Sequence, residues 1–410
     1  MTTVHPGVHP TNPYPALVDL RRRGVAEADV ATLFGIDTSS GELPMAGMPP
    51  MYVVGTYDGV LEVLRDPQRF SSSVYSWVTG MIMGRSILEM DPPEHPTYRS
   101  LIGQVFSRRN MERWAAELVP AEVDAILDGL RPAGAADLVP DLAFPFPVNV
   151  IARLLGLPET DRSLLHGWAG DMIKVTENFD LASAASAKLR EYLLELVAAR
   201  RRADAGEDLL SLLAHAEHEG TRLSDEDIVS FCRLLITAGF ETTYRSLGNL
   251  LYGLLTHPDQ LDLLRRDRTL VPAAVDEGLR WECPLLTVFR LATVDTTLGA
   301  VAIPAGSIVV VHLGSANHDE TRWPDPETFD ITRATQANIA FGAGPHVCIG
   351  MHLARMESRI LLDRVLDTMP DLSLDAAHPT PAITGTAMRA PTALHVVFSP
   401  SSRADSRRGA

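Results

Sequence analysis

The chain has very few cysteines and too little positive charge for several classes of protein. Only three cysteines occur in 410 residues, at Cys232, Cys283 and Cys348. They are too few and too far apart for a disulfide framework or a zinc site, and a reducing cytoplasm is their simplest setting. The 36 lysines and arginines are outnumbered by 52 aspartates and glutamates, which gives a formal net charge of −16. This balance argues against a general nucleic-acid-binding protein, which needs a basic surface.

The sequence also lacks membrane segments and linkers. Residues 1–15 hold four prolines and no apolar run, so this segment is neither a signal peptide nor a membrane anchor. No glycine-, serine-, proline- or charge-rich stretch divides the middle of the chain, which predicts one domain over residues 14–398. The segments 1–13 and 399–410 are expected to be flexible ends. We expect a cytoplasmic monomer with no membrane anchor and no nucleic-acid partner.

Helical patterns dominate, and 46% of the residues are hydrophobic, which is enough for a large core. Apolar residues recur at three-to-four spacing in several segments, which predicts helices there. These segments are Arg99 to Asn110, Ala115 to Leu130, Val148 to Leu155, Arg162 to Val175 and Leu181 to Asp204. Short strand patterns occur at Met51 to Gly55, Phe289 to Thr293, Ala300 to Ile303, Ile308 to His312 and Leu394 to Phe398. The predicted fold class is mainly α with small β-sheets (α+β).

The longest predicted helix lies in the middle of the chain. It begins at Ser224, a serine N-cap followed by three acidic residues, and ends before His257 and Pro258. About 33 residues at 1.5 Å each span on the order of 50 Å. Because apolar residues occupy most of its faces, we expect this helix to cross the centre of the molecule.

Cys348 lies in a segment with several unusual features. Residues 341–350 read FGAGPHVCIG, and a helical pattern follows at once. Gly342 and Gly344 provide backbone freedom, and Gly350 leaves space for a flat ligand near the main chain. An isolated buried cysteine is usually a small hydrophobic residue. Here the amide groups and dipole of the following helix should lower the thiol pKa and hold a thiolate.

This segment resembles the haem-ligand loop of the cytochrome P450 family, Phe-x-x-Gly-x-His/Arg-x-Cys-x-Gly. The Leu-Ala-Arg-x-Glu pattern at residues 353–357 is also similar, and the resemblance runs from about Tyr14 to about Val397. It implies a cytochrome P450 fold with the long central helix lying across haem b. It also implies that Cys348 is the axial iron ligand and that Phe341, Gly342 and Gly350 contact the cofactor.

A second motif lies within the long helix, where residues 238–243 read AGFETT. Gly239 costs roughly 1 kcal/mol relative to alanine inside a helix, so local stability is lowered where a ligand could need space. The simpler interpretation is a small-residue helix contact with a threonine bonded to the preceding turn. The segment resembles the Ala-Gly-x-Asp/Glu-Thr motif of the same family, which implies that Ala238 and Gly239 face the haem. By that resemblance Thr242 hydrogen-bonds dioxygen and Glu241 supplies protons, although many relatives have aspartate at the glutamate position.

Glu277 and Arg280 lie three residues apart on a helix that begins near Pro272. Such pairs are common on solvated helices and contribute only a few tenths of a kcal/mol there. The resemblance implies a structural pair instead, with Arg333 as its third member.

The same resemblance implies that four groups hold the two haem propionates. His95 and Arg99 lie four residues apart, Arg290 lies in a predicted strand, and His346 lies in the cysteine segment. Positive or hydrogen-bonding groups of this kind suit carboxylates. For His95 and Arg99 the alternative is the exposed start of a surface helix. Asn338 departs from the family pattern, in which many relatives carry histidine, and it is expected to lie outside the ligand set.

Together these motifs predict a bacterial-type monooxygenase that inserts one oxygen atom from O2 into a bulky hydrophobic compound, by hydroxylation or epoxidation. The sequence has no flavin or iron–sulfur signature, so a ferredoxin and a ferredoxin reductase are the expected electron donors. The alternatives are a peroxide-driven peroxygenase, which usually lacks the acid–alcohol pair, and a haem-thiolate binding protein without turnover.

The resemblance also implies the positions of the substrate pocket, where large and adaptable apolar side chains are expected to accept a terpenoid, steroid or polyketide from secondary metabolism. These residues are Trp77, Met81, Ile82, Met172, Leu235, Leu286, Val288 and Met388.

Arginines near the cysteine segment are expected to face an acidic ferredoxin. They are Arg108, Arg109, Arg113, Arg355 and Arg359. The alternative is that they solvate the surface or pair with Glu112 and Glu357.

Overall fold

The computed structural model describes residues 12–28, 49–77, 79–175, 178–204, 206–334 and 336–400. Most of the two predicted flexible ends therefore lies outside the described residues. In the described part the chain is mainly helical, with strands gathered into small sheets.

The helices are α1 (Tyr14–Arg23), α2 (Tyr57–Arg65), α3 (Thr79–Met83), α4 (Glu94–Gly103), α5 (Arg108–Arg113), α6 (Val119–Leu130), α7 (Pro145–Leu154), α8 (Arg162–Met172), α9 (Phe179–Arg202), α10 (Leu209–His215), α11 (Asp225–Thr256), α12 (Pro258–Arg266), α13 (Val271–Trp281), α14 (Leu313–Ala316) and α15 (Met351–Thr368).

The strands are β1 (Val25–Ala28), β2 (Met51–Val54), β3 (Phe70–Ser71), β4 (Ala135–Asp137), β5 (Glu217–His218), β6 (Thr221–Arg222), β7 (Thr287–Ala292), β8 (Thr296–Leu298), β9 (Val301–Ile303), β10 (Ile308–His312), β11 (Ser373–Leu374), β12 (Ile383–Thr384), β13 (Ala390–Pro391) and β14 (His395–Val397).

The largest sheet joins strands from distant parts of the chain. Its order is β1-β2-β10-β7-β3, in which β2 and β10 are parallel and the other pairs antiparallel. The late strands β7 and β10 agree with the sequence patterns. The sequence patterns missed β1 and β3, because strands of two to four residues carry too little alternation to recognise.

The long helix α11 confirms the prediction made from its ends. The Ser224 hydroxyl accepts a hydrogen bond from the Asp227 backbone N–H, and the Asp227 carboxylate accepts one from the Ser224 N–H. This reciprocal cap satisfies donors that the first turn leaves free. Buried residues then occur on most faces along the helix, and it packs against α7, α9 and α13. The helix therefore lies at the centre of the main core.

One predicted helix is interrupted. The segment Arg99 to Asn110 is not continuous, because α4 ends at Gly103 and α5 begins at Arg108. The Ser107 hydroxyl accepts from the Asn110 N–H, and the Asn110 side chain donates to the Val105 carbonyl at 2.7 Å. Serine and asparagine side chains compete with the helical ladder in this way. The break redirects the chain between α4 and α5.

No helix in the described residues is long and apolar enough to cross a membrane.

Two histidines are buried beside α14. The His312 Nδ1 accepts from the Ser315 N–H at 3.1 Å, and the His318 Nδ1 lies 3.0 Å from the Gly314 carbonyl oxygen. His318 also stacks on Tyr14, with ring centroids 3.5 Å apart, and so links α1 to the body of the protein. Burial lowers the pKa of His312 to about 4 and holds the pKa of His318 well below its usual value.

These pKa shifts predict acid sensitivity. An unfolded histidine has a pKa near 6.5, so between about pH 6.5 and 4 the unfolded chain binds protons that the folded protein excludes. The free energy of unfolding should therefore decrease as the pH is lowered from about 6.5 to 4, by up to about 1.4 kcal/mol per pH unit for each histidine. The variant H312N keeps a side-chain acceptor for Ser315 and cannot titrate, so it should flatten this slope.

The measurement is equilibrium urea unfolding at several pH values between 7 and 4.5. The control is H378N, because the side chain of His378 is 46% exposed. Equal slopes for H312N and the parent would show that His312 does not contribute.

Candidate active site

The cysteine loop is shaped by its glycines and by one main-chain hydrogen bond. Gly342 and Gly344 have φ values of +69° and +70°, which residues with a Cβ rarely adopt. A Cβ at Gly344 would also collide with the carbonyl of Leu64 in α2. The Cys348 N–H donates to the Phe341 carbonyl at 2.9 Å and closes the loop just before α15 begins.

The thiol of Cys348 faces an internal opening. Cys348 is exposed, whereas Cys232 and Cys283 are buried in the cores. Burial nevertheless raises the pKa of the Cys348 thiol, which shows that protein surrounds this exposed group. The Gly350 and Met351 amides and the guanidinium groups of Arg99 and Arg355 lower the pKa, but less than burial raises it.

This result corrects the expected direction of the thiol pKa. The amides at the start of α15 lower the pKa, as expected from the sequence, but dehydration is the larger effect. Burial therefore favours the neutral thiol, and a metal cation bound there would favour the thiolate, since a bound cation is the largest local charge in such a site.

A recess of about 280 Å³ reaches Cys348. Its walls are mainly apolar and come from α4, α5, the cysteine loop and α15. They are formed by Arg99, Gly103, Phe106, Met111, Val347, Cys348, Ile349, Met351, His352 and Leu353.

The middle of α11 has a second opening. Ala238 is exposed and Thr242 is half-buried, although the neighbouring Thr237, Phe240 and Thr243 are buried. These two residues lie four apart and so share one face of the helix. The Thr242 hydroxyl donates to the Ala238 carbonyl at 2.6 Å. This bond is the one that the simpler interpretation of the motif expected.

Gly239 has a different role from the predicted one. A Cβ at Gly239 would lie 3.3 Å from the Ile151 side chain in α7. Its missing side chain therefore allows α11 to pack closely on α7. Ala238, rather than Gly239, supplies the surface that a flat ligand could contact.

Glu241 is paired within its own helix. The Arg245 guanidinium donates to one Glu241 oxygen at 2.9 and 3.2 Å. Burial raises the pKa of the Glu241 carboxyl, and Arg245 opposes this shift. The sequence interpretation missed Arg245, although its i,i+4 spacing from Glu241 was a usable signal. Arg245 also lies over the Tyr244 ring, 5.1 Å from its centroid.

The four groups predicted to hold propionates lie close together. The His95 and His346 rings are 4.1 Å apart, and the buried Nε2 of each ring has no hydrogen-bond partner. Arg99 donates to the Val347 carbonyl at 2.6 Å, and Arg290 donates to the Phe289 carbonyl at 2.7 Å. Among the residues that the structure describes, none of the four forms a salt bridge with a carboxylate.

The electrostatics of this cluster match an anionic ligand. Burial lowers the pKa of His95, Arg99, Arg290 and His346, that of His346 to about 3. The two arginines lower the pKa of both histidines further. A group carrying two carboxylates would neutralise this buried positive charge and give the orphaned imidazole nitrogens an acceptor. The cluster therefore fits the propionates of haem.

Glu277, Arg280 and Arg333 form a buried network away from these openings. Arg280 donates to both Glu277 oxygens at 2.7 and 2.8 Å, and the Arg333 Nε lies 3.3 Å from Glu277. Arg280 also donates to the carbonyls of Asn317, Pro326 and Thr328. The network fastens the irregular segment before the cysteine loop onto α13. Removing one member of such a network typically costs about 3–5 kcal/mol.

Five of the side chains predicted to form the pocket keep some exposed surface. Trp77 and Met81 are 45% and 63% exposed, and Val288 and Met388 are half-buried. Leu235 is 9% exposed.

Three of the predicted pocket residues do not reach an opening. Met172 and Ile82 are buried in the main core, where hydrogen bonds from Ser186 and Arg233 to the Ile82 carbonyl fix that turn. Leu286 is turned to the sheet side, where it fills the space above Gly314. Sequence spacing alone did not indicate which way these side chains point.

The predicted arginine face is only partly free. Arg108 pairs with Glu112 at 2.7 Å, Arg113 pairs with Glu207, and Arg355 pairs with Asp276 at 2.7 Å. Arg108 and Arg109 are the exposed members. Glu357, the other expected partner, is buried, and burial raises its pKa to about 8.

Comparisons with known proteins identify the family of the chain. The sequence model of the cytochrome P450 family matches residues 171–370. The chain is 37% identical over 393 residues to the cytochrome P450 monooxygenase PikC of Streptomyces venezuelae, over 91% of this chain and 89% of that protein. The chain belongs to the cytochrome P450 family. It is also 34% identical over 355 residues to a steroid C26-monooxygenase of Mycolicibacterium smegmatis, over 84% and 87% of the two chains.

The crystal structure of the P450 CYP109E1 from Bacillus megaterium in complex with testosterone is similar throughout. The TM-score is 0.83 at 30% identity, over 94% of this chain and 99% of that one. The P450 fold predicted from the motifs is therefore confirmed, and the chain is an enzyme of the monooxygenase family.

The site geometry predicts the effect of removing the thiol. The variant C348S should lose the strongly red-shifted carbonyl band of the reduced, haem-loaded protein, because serine cannot supply a thiolate. The measurement is the absorption spectrum of the reduced protein under carbon monoxide. The controls are C232S and C283S, which alter buried cysteines and should keep the band. A C348S protein that retained the band would place the ligand elsewhere.

Proposed function

We propose that this P450 binds haem b through Cys348 and inserts one atom of dioxygen into a bulky hydrophobic compound. The observation that carries this proposal is the pairing of two features. An open thiol lies at the start of α15, and a cluster of four dehydrated donor groups lies beside it. A thiolate ligand and two propionate sites are what the cofactor needs. When bound, haem activates dioxygen, and the other oxygen atom leaves as water.

The protein's own residues supply protons and exclude water. The Thr242 hydroxyl donates to Ala238, so its oxygen keeps lone pairs free to accept a hydrogen bond from a ligand in the opening. Glu241 lies next to it in sequence on the same helix, and burial raises the pKa of its carboxyl, which is the direction that favours proton exchange by a carboxylic acid. The Glu241 carboxyl can deliver a proton only when its ion pair with Arg245 is broken. The strength of this ion pair therefore controls the rate of proton delivery.

Two other functions predict different activities. A peroxide-driven peroxygenase would act without reductase, and a binding protein would give no product. The presence of both Glu241 and Thr242 on α11 favours a reductase-dependent monooxygenase over either. Product formed only with dioxygen and an electron-transfer system would support the monooxygenase.

The substrate is proposed to be a polyketide, steroid or terpenoid. The named relative from Mycolicibacterium smegmatis acts on steroids, and the Bacillus megaterium neighbour is seen with testosterone. Exposed Trp77 and Met81 provide apolar contact area on the segment around α3. A spin-state titration against these three compound classes would identify which of them binds beside the iron.

The electron donor is proposed to be a ferredoxin with its reductase. Arg108 and Arg109 are exposed on α5, and Met111 of the same helix lines the recess that reaches Cys348. Positive charge there would attract an acidic partner against the overall negative charge of the chain, and would raise the association rate more than the affinity.

The proton path predicts separate effects for its two residues. T242A should bind haem and substrate but release about tenfold more hydrogen peroxide per electron pair, because the opening loses the hydroxyl that accepts a hydrogen bond there and directs the protons. E241Q should slow turnover, by on the order of 10²-fold, with less loss of coupling. The measurements are product, peroxide and NAD(P)H consumption in a ferredoxin-driven assay.

The control is T256V, because Thr256 carries the same back-bonded hydroxyl at the far end of α11. Full rate and coupling in both T242A and E241Q would remove the relay assignment. Turnover of the parent with peroxide alone, at the rate seen with reductase, would favour the peroxygenase.

The docking proposal predicts a salt-dependent effect. The double variant R108E/R109E should slow reduction by a ferredoxin roughly tenfold at low salt and much less at high salt, because mobile ions screen exposed charges. Reduction by dithionite should be unchanged. Stopped-flow reduction across a salt series is the measurement, and R23E is the matched control, because Arg23 forms the same kind of exposed i,i+4 pair on α1. Equal rates for the double variant and the parent at all salt concentrations would place the docking face elsewhere.

A further inference from the structure

Arg355 makes two contacts that hold it inside the protein. Its Nε donates to the Asp276 carboxylate of α13 at 2.7 Å. Its guanidinium lies over the Phe341 ring, 4.7 Å from the ring centroid. The side chain is only 20% exposed. Arg355 is therefore sandwiched between a carboxylate and an aromatic ring, and it is poorly placed to contact a partner protein.

The same turn of α13 holds the cysteine loop at a second point. The Asn338 side chain donates to the Asp276 main-chain carbonyl at 3.2 Å and accepts from the Ala340 N–H at 3.2 Å. Asn338 departs from the family pattern and was expected to have no part in the ligand set. Its contacts show that Asp276 fixes both the chain leading into Phe341 and the cation above Phe341.

Phe341 connects this arrangement to the sulfur. Its carbonyl accepts the Cys348 N–H at 2.9 Å, and Arg355 is close enough to Cys348 to favour a negative charge on it. Asp276, Arg355, Phe341 and Cys348 thus form a continuous series of contacts from α13 to the thiol. The planar guanidinium of Arg355 suits both contacts, since it can bind the Asp276 carboxylate and stack on the Phe341 ring at the same time.

We propose that Asp276 and Arg355 are positioning residues for the axial ligand, which hold Phe341 against the cysteine loop and set the charge felt by the bound iron. This proposal rests on the proposed haem ligation by Cys348. The positive charge of Arg355 favours the reduced iron, and the negative charge of Asp276 partly offsets it. The pair therefore determines how readily the enzyme accepts its first electron.

The two charges predict opposite shifts of the reduction potential. R355Q removes a positive charge and should shift the potential of the haem-loaded enzyme downward. D276N removes the opposing negative charge and should shift it upward. R355K keeps the charge but loses the planar stacking on Phe341. It should restore the potential, while its carbonyl complex converts about threefold faster to the form without the red-shifted band.

The measurements are a spectroelectrochemical titration and the time course of the carbonyl spectrum, and both are made on the holoenzyme without substrate or ferredoxin. The matched control is R364Q. Arg364 pairs with Asp124 on the exposed side of α15 at 3.2 Å. It lies nine residues beyond Arg355, about 13 Å along the helix. R364Q should leave both the potential and the carbonyl band as in the parent.

The outcomes separate this proposal from the ligand assignment. Opposite shifts in R355Q and D276N, with the R364Q potential unchanged, would support it. Shifts of the same sign, or none, in enzymes that keep the red-shifted band would overturn it and leave Cys348 as the ligand. A parent enzyme without that band would refute the proposed haem ligation itself.

Discussion

The dehydration of charged groups around the cysteine loop is the constraint on which the rest of the site depends. His95, Arg99, Arg290 and His346 are brought together where burial lowers the pKa of each, and within the described part of the chain none of them forms a salt bridge with a carboxylate. The same dehydration raises the pKa of the Cys348 thiol and favours its neutral form. Both effects favour a ligand that brings a metal cation to the sulfur and two carboxylates to the cluster, which haem does in one molecule.

Such an arrangement has to be held by the surrounding structure, because burying two arginines without paired carboxylates is unfavourable. Helix α13 provides much of this support through two faces. Glu277 binds Arg280 and Arg333 and fastens the segment before the loop. Asp276, the preceding residue, binds Arg355 and Asn338 and fastens the loop itself. The β7 strand adds Arg290 from the main sheet. The site is therefore built from parts of the chain that only the tertiary fold brings together.

Much of this could be predicted from sequence because some signals are local. The Ser224 cap, the length of α11 and the glycine positions of the cysteine loop depend on neighbouring residues alone, and they appear as expected. Side-chain direction is a different kind of property. Gly239, Ile82, Met172 and Leu286 were expected at the opening, yet they pack against α7, the core or the sheet. A residue's spacing in a motif fixes its helix face only approximately, and its neighbours decide what that face meets.

The sequence by itself determined the family, the position of the thiol and the long central helix, since each follows from a short contiguous pattern. Only the tertiary structure decided how the charges are shared. Arg245 forms an ion pair with Glu241. Asp276 forms an ion pair with Arg355, which was expected on the docking face, and Asn338 hydrogen-bonds the Asp276 main chain and so holds the cysteine loop on α13. These pairings depend on distances between helices, and on which group loses its water, because the energy of a charge depends strongly on its burial.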